Sequence, residues 1–351
     1  NMNTKQEKVK LAVNGLGRIG KNALRVIIEK FDSSFDIVAA NDLAPVEVIV
    51  RSLPRDSTHG KFPAEIVAFA KGIRIGRHEV TCYSETDPAK IPWKNHGVDI
   101  VLECSGFFRG STAAGCHLTG GAGKVIISAP CGDETPMVVV GVNHHTLSAD
   151  VRIVSNASCT TNCLAPVVSA IDRSFPVICG LVSTTHASTG SDRVLDAFGT
   201  RGALNNIIHG STGAAAAIGR ILPHLAGKLD GSALRVPVDT GSVLESVFQI
   251  KGTPGKEELL AAMKTNIDTI NASTPLGQVA ALGNLVECSR DVVGEPFSSM
   301  ISDSIQIVPA SKGTSLVKVT AFYDNETGYA NRMVELALIL GGRNTHQNAD
   351  E

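Results

Sequence analysis

The residues best suited to covalent chemistry are Ser155-Asn156-Ala157-Ser158-Cys159-Thr160-Thr161-Asn162-Cys163. A short apolar run, Val151 to Val154, precedes them, and Cys163, Leu164, Val167, Val168 and Ile171 follow at helical spacing. Cys159 is therefore expected near a helix N-terminus. There the free N–H groups and the positive end of the helix dipole favour a thiolate over a thiol and lower its pKa. An ionised sulfur would be a usable nucleophile. Taken alone, the same cysteine also suits a buried structural role, because free Cys is among the most buried residue types.

A second set of residues could hold a nucleotide. Val9-Lys10-Leu11-Ala12-Val13 reads as a strand, and Asn14-Gly15-Leu16-Gly17-Arg18-Ile19-Gly20 follows at once. Asn22 to Lys30 then places Leu24, Ile27 and Ile28 on one helical face, and the apolar strand Ile37-Val38-Ala39-Ala40 ends in Asn41-Asp42. Strand, G-x-G-x-x-G, helix, strand and acidic residue form the dinucleotide-binding unit. Its glycines allow a tight turn and close backbone approach, its helix N-terminus meets the pyrophosphate, and Asp42 can accept from a ribose hydroxyl. A carboxylate at that place would repel the 2′-phosphate of NADP, so NAD is the expected cofactor.

These sites need a scaffold, and 351 residues are long for one compact core, which favours two domains. With 43% hydrophobic and 19% charged residues and a net charge of −2, the composition is that of an ordinary globular protein. It lacks the basic excess of a dedicated nucleic-acid binder. No apolar run approaches a membrane span, and residues 1–8 lack the apolar stretch of a signal peptide, so a cytoplasmic address is the default expectation. The eight cysteines are scattered; Cys159 and Cys163 lie one turn apart with no matching His or Cys pair, so no metal site is expected.

Apolar segments at Ile73 to Ile75, Val98 to Leu102 and Lys124 to Ser128 supply further strands to the first half. The ends Ser105-Gly106 and Ser128-Ala129-Pro130 are expected along the carboxyl edge of a parallel sheet, where open α/β sheets bind ligands. From Leu181 the texture changes. Leu181 to His186, Ala233 to Val236, Ser242 to Ile250 and Leu316 to Tyr323 read as longer strands, several of them alternating, with Lys256 to Ile267 as a covering helix. The fold class expected is therefore α/β: a Rossmann-type, doubly wound, mostly parallel sheet, joined to an α+β domain with a mainly antiparallel sheet. Ala330 to Leu340 reads as a closing apolar helix, followed by a polar, frayed tail from Gly341.

Taken together, these landmarks resemble the phosphorylating glyceraldehyde-3-phosphate dehydrogenase family from Val9 to Leu340. The resemblance rests on Asn14 to Gly20, Asp56-Ser57-Thr58-His59-Gly60, Ser155 to Cys163, Leu234-Arg235-Val236-Pro237 and Tyr323-Asp324-Asn325-Glu326-Thr327-Gly328-Tyr329. It implies an NAD-binding domain over 1–158, a catalytic domain over 159–324, and a C-terminal helix over 325–351 that returns to the first. It also implies glycolytic oxidation of glyceraldehyde 3-phosphate, with inorganic phosphate as second substrate, in a homotetramer with no nucleic-acid or membrane partner.

By the same resemblance Cys159 is the nucleophile and His186 its base. An imidazole, with its unperturbed pKa of ~6.5, suits the proton step near neutral pH. The cofactor falls to Gly15, Gly17, Arg18, Ile19, Gly20, Asp42 and Ser128, with Asn325 on the nicotinamide carboxamide and Tyr329 packed nearby. Thr189 and Arg235 hold the substrate phosphate; Ser158, Thr212, Gly213 and Arg201 hold the inorganic one, with Thr160 beside them. Arg forks, hydroxyls and backbone N–H groups are the donors such anions require.

The chain also departs from the family. After the histidine the family usually reads Ala-Tyr-Thr-x-Asp-Gln, whereas here stands Ala187-Ser188-Thr189-Gly190-Ser191-Asp192. Between Asp196 and Arg201 the loop is about five residues shorter than usual, and its run of arginines is reduced to Arg201. In the family this loop crosses a subunit interface. His209 replaces a usual proline, and Val238-Asp239-Thr240-Gly241-Ser242 departs from a Thr-Pro-x-x-x usage. Two rival readings remain: the same chemistry on another phosphorylated aldehyde such as erythrose 4-phosphate, with water releasing the acyl group, or a non-catalytic binding protein on the same scaffold.

Overall fold

A computed structural model of the chain describes residues 8–342. Residues 1–7 of the opening segment, and the polar tail after the Gly341-Gly342 turn, lie outside the described residues. The described chain divides into two compact units: residues 8–136, Leu147–Asn156 and residues 333–342 form one; Met137–Thr146 and Ala157–Arg332 form the other.

The first unit runs β1 (Val9–Asn14), α1 (Arg18–Lys30), β2 (Phe35–Asn41), α2 (Val46–Ser52), β3 (Arg55–Asp56), β4 (Gly60–Lys61), β5 (Ile66–Phe69), β6 (Gly72–Ile75), β7 (His78–Tyr83), β8 (Ile100–Glu103), α3 (Ser111–Thr119), β9 (Lys124–Ile127) and β10 (Ile153–Ser155). Among the described residues its main sheet has the order β10-β9-β8-β1-β2-β7-β6-β5. The strands from β10 to β7 are parallel, whereas β5 and β6 extend the sheet as an antiparallel edge. The Ile73–Ile75 segment belongs to that edge. Parallel strands covered on both faces must be apolar throughout, which explains why Leu11, Ala12, Val13, Ile100, Val101 and Leu102 are all buried. Strands β1, β2, β8 and β9 end at Asn14, Asn41, Glu103 and Ile127, and so set Gly15, Asp42, Ser105 and Ser128 along one carboxyl edge.

The second unit contains α4 (Cys159–Asp172), β11 (Val177–Ala187), β12 (Ile208–Ser211), α5 (Ala214–Ile221), β13 (Leu229–Val236), β14 (Ser242–Lys251), α6 (Lys256–Ala272), β15 (Ala280–Gly283), β16 (Ser299–Ser302), β17 (Gln306–Pro309) and β18 (Thr314–Tyr323). Its sheet has the order β12-β13-β11-β14-β18-β16-β15, with β17 also on β18. Most pairs are antiparallel as expected, but β11 pairs with β13 and β15 with β16 in parallel. Alternation along β14 and β18 buries Leu244, Phe248, Ile250, Val317, Val319 and Ala321 against Leu164, Val167, Val168 and Ile171 of α4 and Leu259 and Met263 of α6. Helix α7 (Thr327–Leu340) closes the described chain. No helix among the described residues is long and apolar enough to cross a membrane.

Candidate active site

Two local features fix Cys159. Ser158 caps α4: its hydroxyl accepts from the Thr161 N–H at 3.0 Å, so Cys159 becomes the first helical residue. Just before it, Ala157 is buried with a φ of 56°, a left-handed conformation costing a non-glycine residue about 1–2 kcal/mol. The Tyr329 hydroxyl donates to the Ala157 carbonyl at 3.0 Å, in the same turn. That bond ties the start of α7 to the strained residue. Tyr329 thus supports the backbone beneath the cysteine.

Sheet register brings the partners together. In the parallel β11/β13 pair His186 lies directly beside Arg235. His186 Nε2 stands 3.3 Å from Cys159 Sγ, its ring packs edge-on against Tyr323, and Nδ1 meets the Ala187 carbonyl at 2.7 Å. Arg235 Nη1 also contacts Nδ1 and lies 3.3 Å from the same carbonyl. Nδ1 cannot donate to a carbonyl and accept from a guanidinium at once. With the proton on Nδ1 the ring donates to the Ala187 carbonyl and turns an Nε2 lone pair toward the sulfur.

The charge state of the pair departs from the expectation that the helix N-terminus lowers the thiol. Burial is the largest influence on Cys159 and pushes its pKa up, against the opposing pull of Thr160, Arg235 and the backbone N–H groups of residues 159 and 160. Cys159 is half-buried by solvent exposure but crowded by protein atoms, and it is this crowding that withholds hydration from a thiolate. His186 is pushed down to about 4, by burial first and then by the Arg235 charge, with the Ala187 carbonyl and Asp192 opposing. The resting pair is therefore a neutral thiol beside a neutral imidazole. Transfer of the proton from sulfur to nitrogen is uphill in this resting pair and must be coupled to bond formation with the substrate.

Thr189 and Arg235 converge on Asp192. One carboxylate oxygen, Oδ2, accepts from the Thr189 N–H at 2.8 Å and the Thr189 hydroxyl at 3.0 Å, and lies 3.9 Å from Arg235 Nε. Thr212 and Gly213 open α5, where the Thr212 hydroxyl accepts from the Ala214 N–H at 3.2 Å. Thr160 joins Tyr323 and Thr184 in a hydroxyl cluster, with 2.9 Å to each side of the phenol. Arg201 stands apart. Its side chain is 80% exposed, and its one polar partner among the described residues is Asp196, at 2.7 Å.

Asn325 is held by the stretch that the sequence marks only as a departure. Its Oδ1 accepts from the Thr240 hydroxyl at 3.2 Å, the Gly241 N–H at 3.2 Å and the Ser242 hydroxyl at 3.0 Å. With the oxygen engaged three times, the amide orientation is set, and Nδ2 has no hydrogen-bond partner among the described residues. The adjacent Asp324 shares the single Thr240 hydroxyl proton with Asn325 and accepts from the N–H groups of Gly294, Glu326 and Thr327, and so caps α7. The sequence marks Thr240 and Ser242 as part of a departure in type, not as donors to Asn325. Their role follows from the β14/β18 register, which sets Ser242 opposite Tyr323.

In the first unit the glycine loop has the space a dinucleotide needs. Gly15 has a φ of +92°, and a Cβ on it would meet Ser105 N at 2.7 Å; a Cβ on Gly20 would meet the Gly15 carbonyl at 2.0 Å. A Cβ on Gly17, by contrast, would meet nothing within 4 Å, so its outer side is open for a phosphate. Asp42 accepts from the N–H groups of Leu16 at 2.7 Å and Ala44 at 2.9 Å, which locks its carboxylate to the loop. Arg18 pairs with Asp56, and Ile19 is partly buried in the first turn of α1. Ser128 follows β9 with its N–H on the Glu103 carbonyl at 2.9 Å.

Gly15, Gly17, Asn41, Asp42 and Ser105 line a cleft of about 590 Å³, inside the roughly 300–1,000 Å³ range of small-molecule sites. Below it lies a carboxylate that sequence reasoning passed over. Buried Glu103 accepts from Asn14, the Ser105 N–H and hydroxyl, and His117, whose other nitrogen accepts from Trp93. This network braces two residues of the cleft wall.

Comparison with known proteins agrees with this geometry. Residues 9–111 match the family described as glyceraldehyde 3-phosphate dehydrogenase, NAD binding domain, and residues 158–325 match glyceraldehyde 3-phosphate dehydrogenase, C-terminal domain. The chain is similar to the glyceraldehyde-3-phosphate dehydrogenase of Zymomonas mobilis, at 42% identity over 94% of this chain and 97% of that protein. It is also 41% identical to that of Xanthobacter flavus, over 95% and 98% of the two chains. A third relative, from Pseudomonas aeruginosa, is 40% identical over 95% and 98%.

Proposed function

Because the chain belongs to the glyceraldehyde-3-phosphate dehydrogenase family, we infer that it oxidises D-glyceraldehyde 3-phosphate with NAD and inorganic phosphate to 1,3-bisphosphoglycerate. The observation that carries this reading at the residue level is Cys159 Sγ at 3.3 Å from His186 Nε2.

On this reading His186 Nε2 takes the thiol proton as the Cys159 sulfur bonds to the aldehyde carbon and passes that proton to the carbonyl oxygen, which gives a thiohemiacetal and returns the imidazole to its neutral form. The N–H groups of residues 159 and 160, at the positive end of α4, steady the oxygen as its charge develops. Bound NAD supplies the hydride acceptor. As the C–H bond breaks, His186 withdraws the hydroxyl proton, leaving a thioester on Cys159. Inorganic phosphate then attacks the thioester carbon, releases the acyl phosphate and returns the sulfur.

Asn325, with its oxygen committed to Thr240, Gly241 and Ser242, would offer Nδ2 to the nicotinamide carboxamide. The open side of Gly17 and the neighbouring Gly15, Arg18, Ile19 and Gly20 suit the pyrophosphate, Asp42 suits the ribose, and Ser128 lies at the same sheet edge. Thr189 and Arg235 suit the substrate phosphate, and Ser158, Thr160, Thr212 and Gly213 the attacking one. Arg201 would have to leave Asp196 to join them. We further propose a homotetramer acting in the cytoplasm, with no dedicated nucleic-acid or membrane partner.

The test mixes the protein with NAD, glyceraldehyde 3-phosphate and phosphate and follows NADH absorbance, with Cys159→Ser as control. NADH formation that depends on phosphate and vanishes in the control is expected. A rate no higher than the control's would overturn catalysis, and a rate indifferent to phosphate would assign acyl release to water, as in the erythrose 4-phosphate reading.

A further inference from the structure

We propose that Asp192 is a specificity-determining residue: its carboxylate occupies the cradle formed by Thr189 and Arg235, so that a substrate phosphate must displace it. The inference rests on the substrate-phosphate role given above to those two residues and deepens it.

Three donors converge on one anionic oxygen. Asp192 Oδ2 takes the Thr189 N–H and the Thr189 hydroxyl and lies 3.9 Å from the guanidinium Nε of Arg235. A backbone N–H, a hydroxyl and an arginine edge are the set that a phosphoryl oxygen would take. Asp192 thus acts as a tethered stand-in for the substrate's anionic group.

The cradle is only lightly held. The Asp192 side chain is 21% exposed and that of Arg235 31%, so water screens their attraction, and the 3.9 Å separation is long for a hydrogen bond. Displacement is therefore feasible. Yet the tether is short: Asp192 follows Thr189 by three residues, with the Asp192 N–H on the Thr189 carbonyl at 2.9 Å. Even when turned aside, the carboxylate stays within a few ångströms of an incoming dianion and repels it. An aldehyde without a phosphate meets neither the competition nor the repulsion. Asp192 consequently narrows the advantage of phosphorylated over unphosphorylated aldehydes.

The measurement is the ratio of kcat/KM for glyceraldehyde 3-phosphate to that for glyceraldehyde, in wild type, Asp192→Asn and Asp192→Ala. Removing the charge is expected to raise this ratio by about three- to tenfold, through a lower KM for the phosphorylated substrate. A ratio that stays level or falls in both variants means that Asp192 holds Thr189 and Arg235 in place, and overturns the proposal. Wild type inert toward glyceraldehyde 3-phosphate overturns the activity and this inference together. Active wild type with an unmoved ratio overturns this inference alone.

Discussion

His186 carries the chemistry through its proton, and its surroundings decide at which pH that proton is available. Burial and the Arg235 charge together hold the imidazolium down to about 4, well below the ordinary ~6.5. The neutral base therefore persists through mildly acid solution. The acid limb of kcat/KM should fall below pH 5, measured with glyceraldehyde so that no substrate phosphate titrates in the window. A limb near 6.5 would mean that the imidazole is hydrated. The sign for stability is the same: a folded pKa below the unfolded one contributes stability that is present above ~6.5 and lost as pH falls through about 4. His186→Asn should abolish the limb and depress kcat by roughly 10²- to 10⁴-fold.

At the scale of elements, the pairing of strands does what no local motif announces. Ser242 begins β14 and supplies one of three donors to Asn325 Oδ1. Ser242→Ala removes the hydrogen bond to Asn325 Oδ1 and also the acceptor of the buried Ala187 N–H, so the KM for NAD should rise by about two- to tenfold and the thermal midpoint should fall with the orphaned donor. An unchanged KM would remove Asn325 from the cofactor site. Asp42 gives a parallel case in the first unit, since its carboxylate is fixed by Leu16 and Ala44 N–H groups at the glycine loop. Asp42→Gly should raise the ratio of NADP to NAD turnover, and a constant ratio would place the adenosine elsewhere.

Strand–loop–helix periodicity made the glycine loop and the Cys159 helix legible in the sequence, because their signals are local. Three things were not local. The parallel β11/β13 pairing that sets His186 beside Arg235 joins segments about fifty residues apart. Burial, which outweighs the helix N-terminus at Cys159, depends on every element packed around the sulfur. The stretch from Val238 to Ser242 differed from the family in type, and only the fold reveals that its donors point at Asn325.

At the scale of the whole molecule, one exposed stretch bears on assembly. Between Gly190 and Ile208 the second unit displays Val194 at 66%, Leu195 at 72%, Phe198 at 109%, Leu204 at 54% and Ile207 at 71% exposure. Single exposed apolar residues need no explanation, but five in one segment form a patch of the kind that marks an interface. A second copy of this chain is the proposed cover, since in the family the corresponding loop crosses a subunit boundary. Burying such side chains contributes about 1.5–3 kcal/mol each when complete, enough for association at micromolar protein if several are covered. Sedimentation velocity should therefore show a species several times the 36.7 kDa chain mass. Phe198→Asp places a charge where apolar contact is expected and should shift the distribution toward smaller species. Because Arg201 and Asp196 sit on the same loop, that variant should also change the KM for phosphate, while a 36.7 kDa monomer in wild type would leave the patch without its proposed partner.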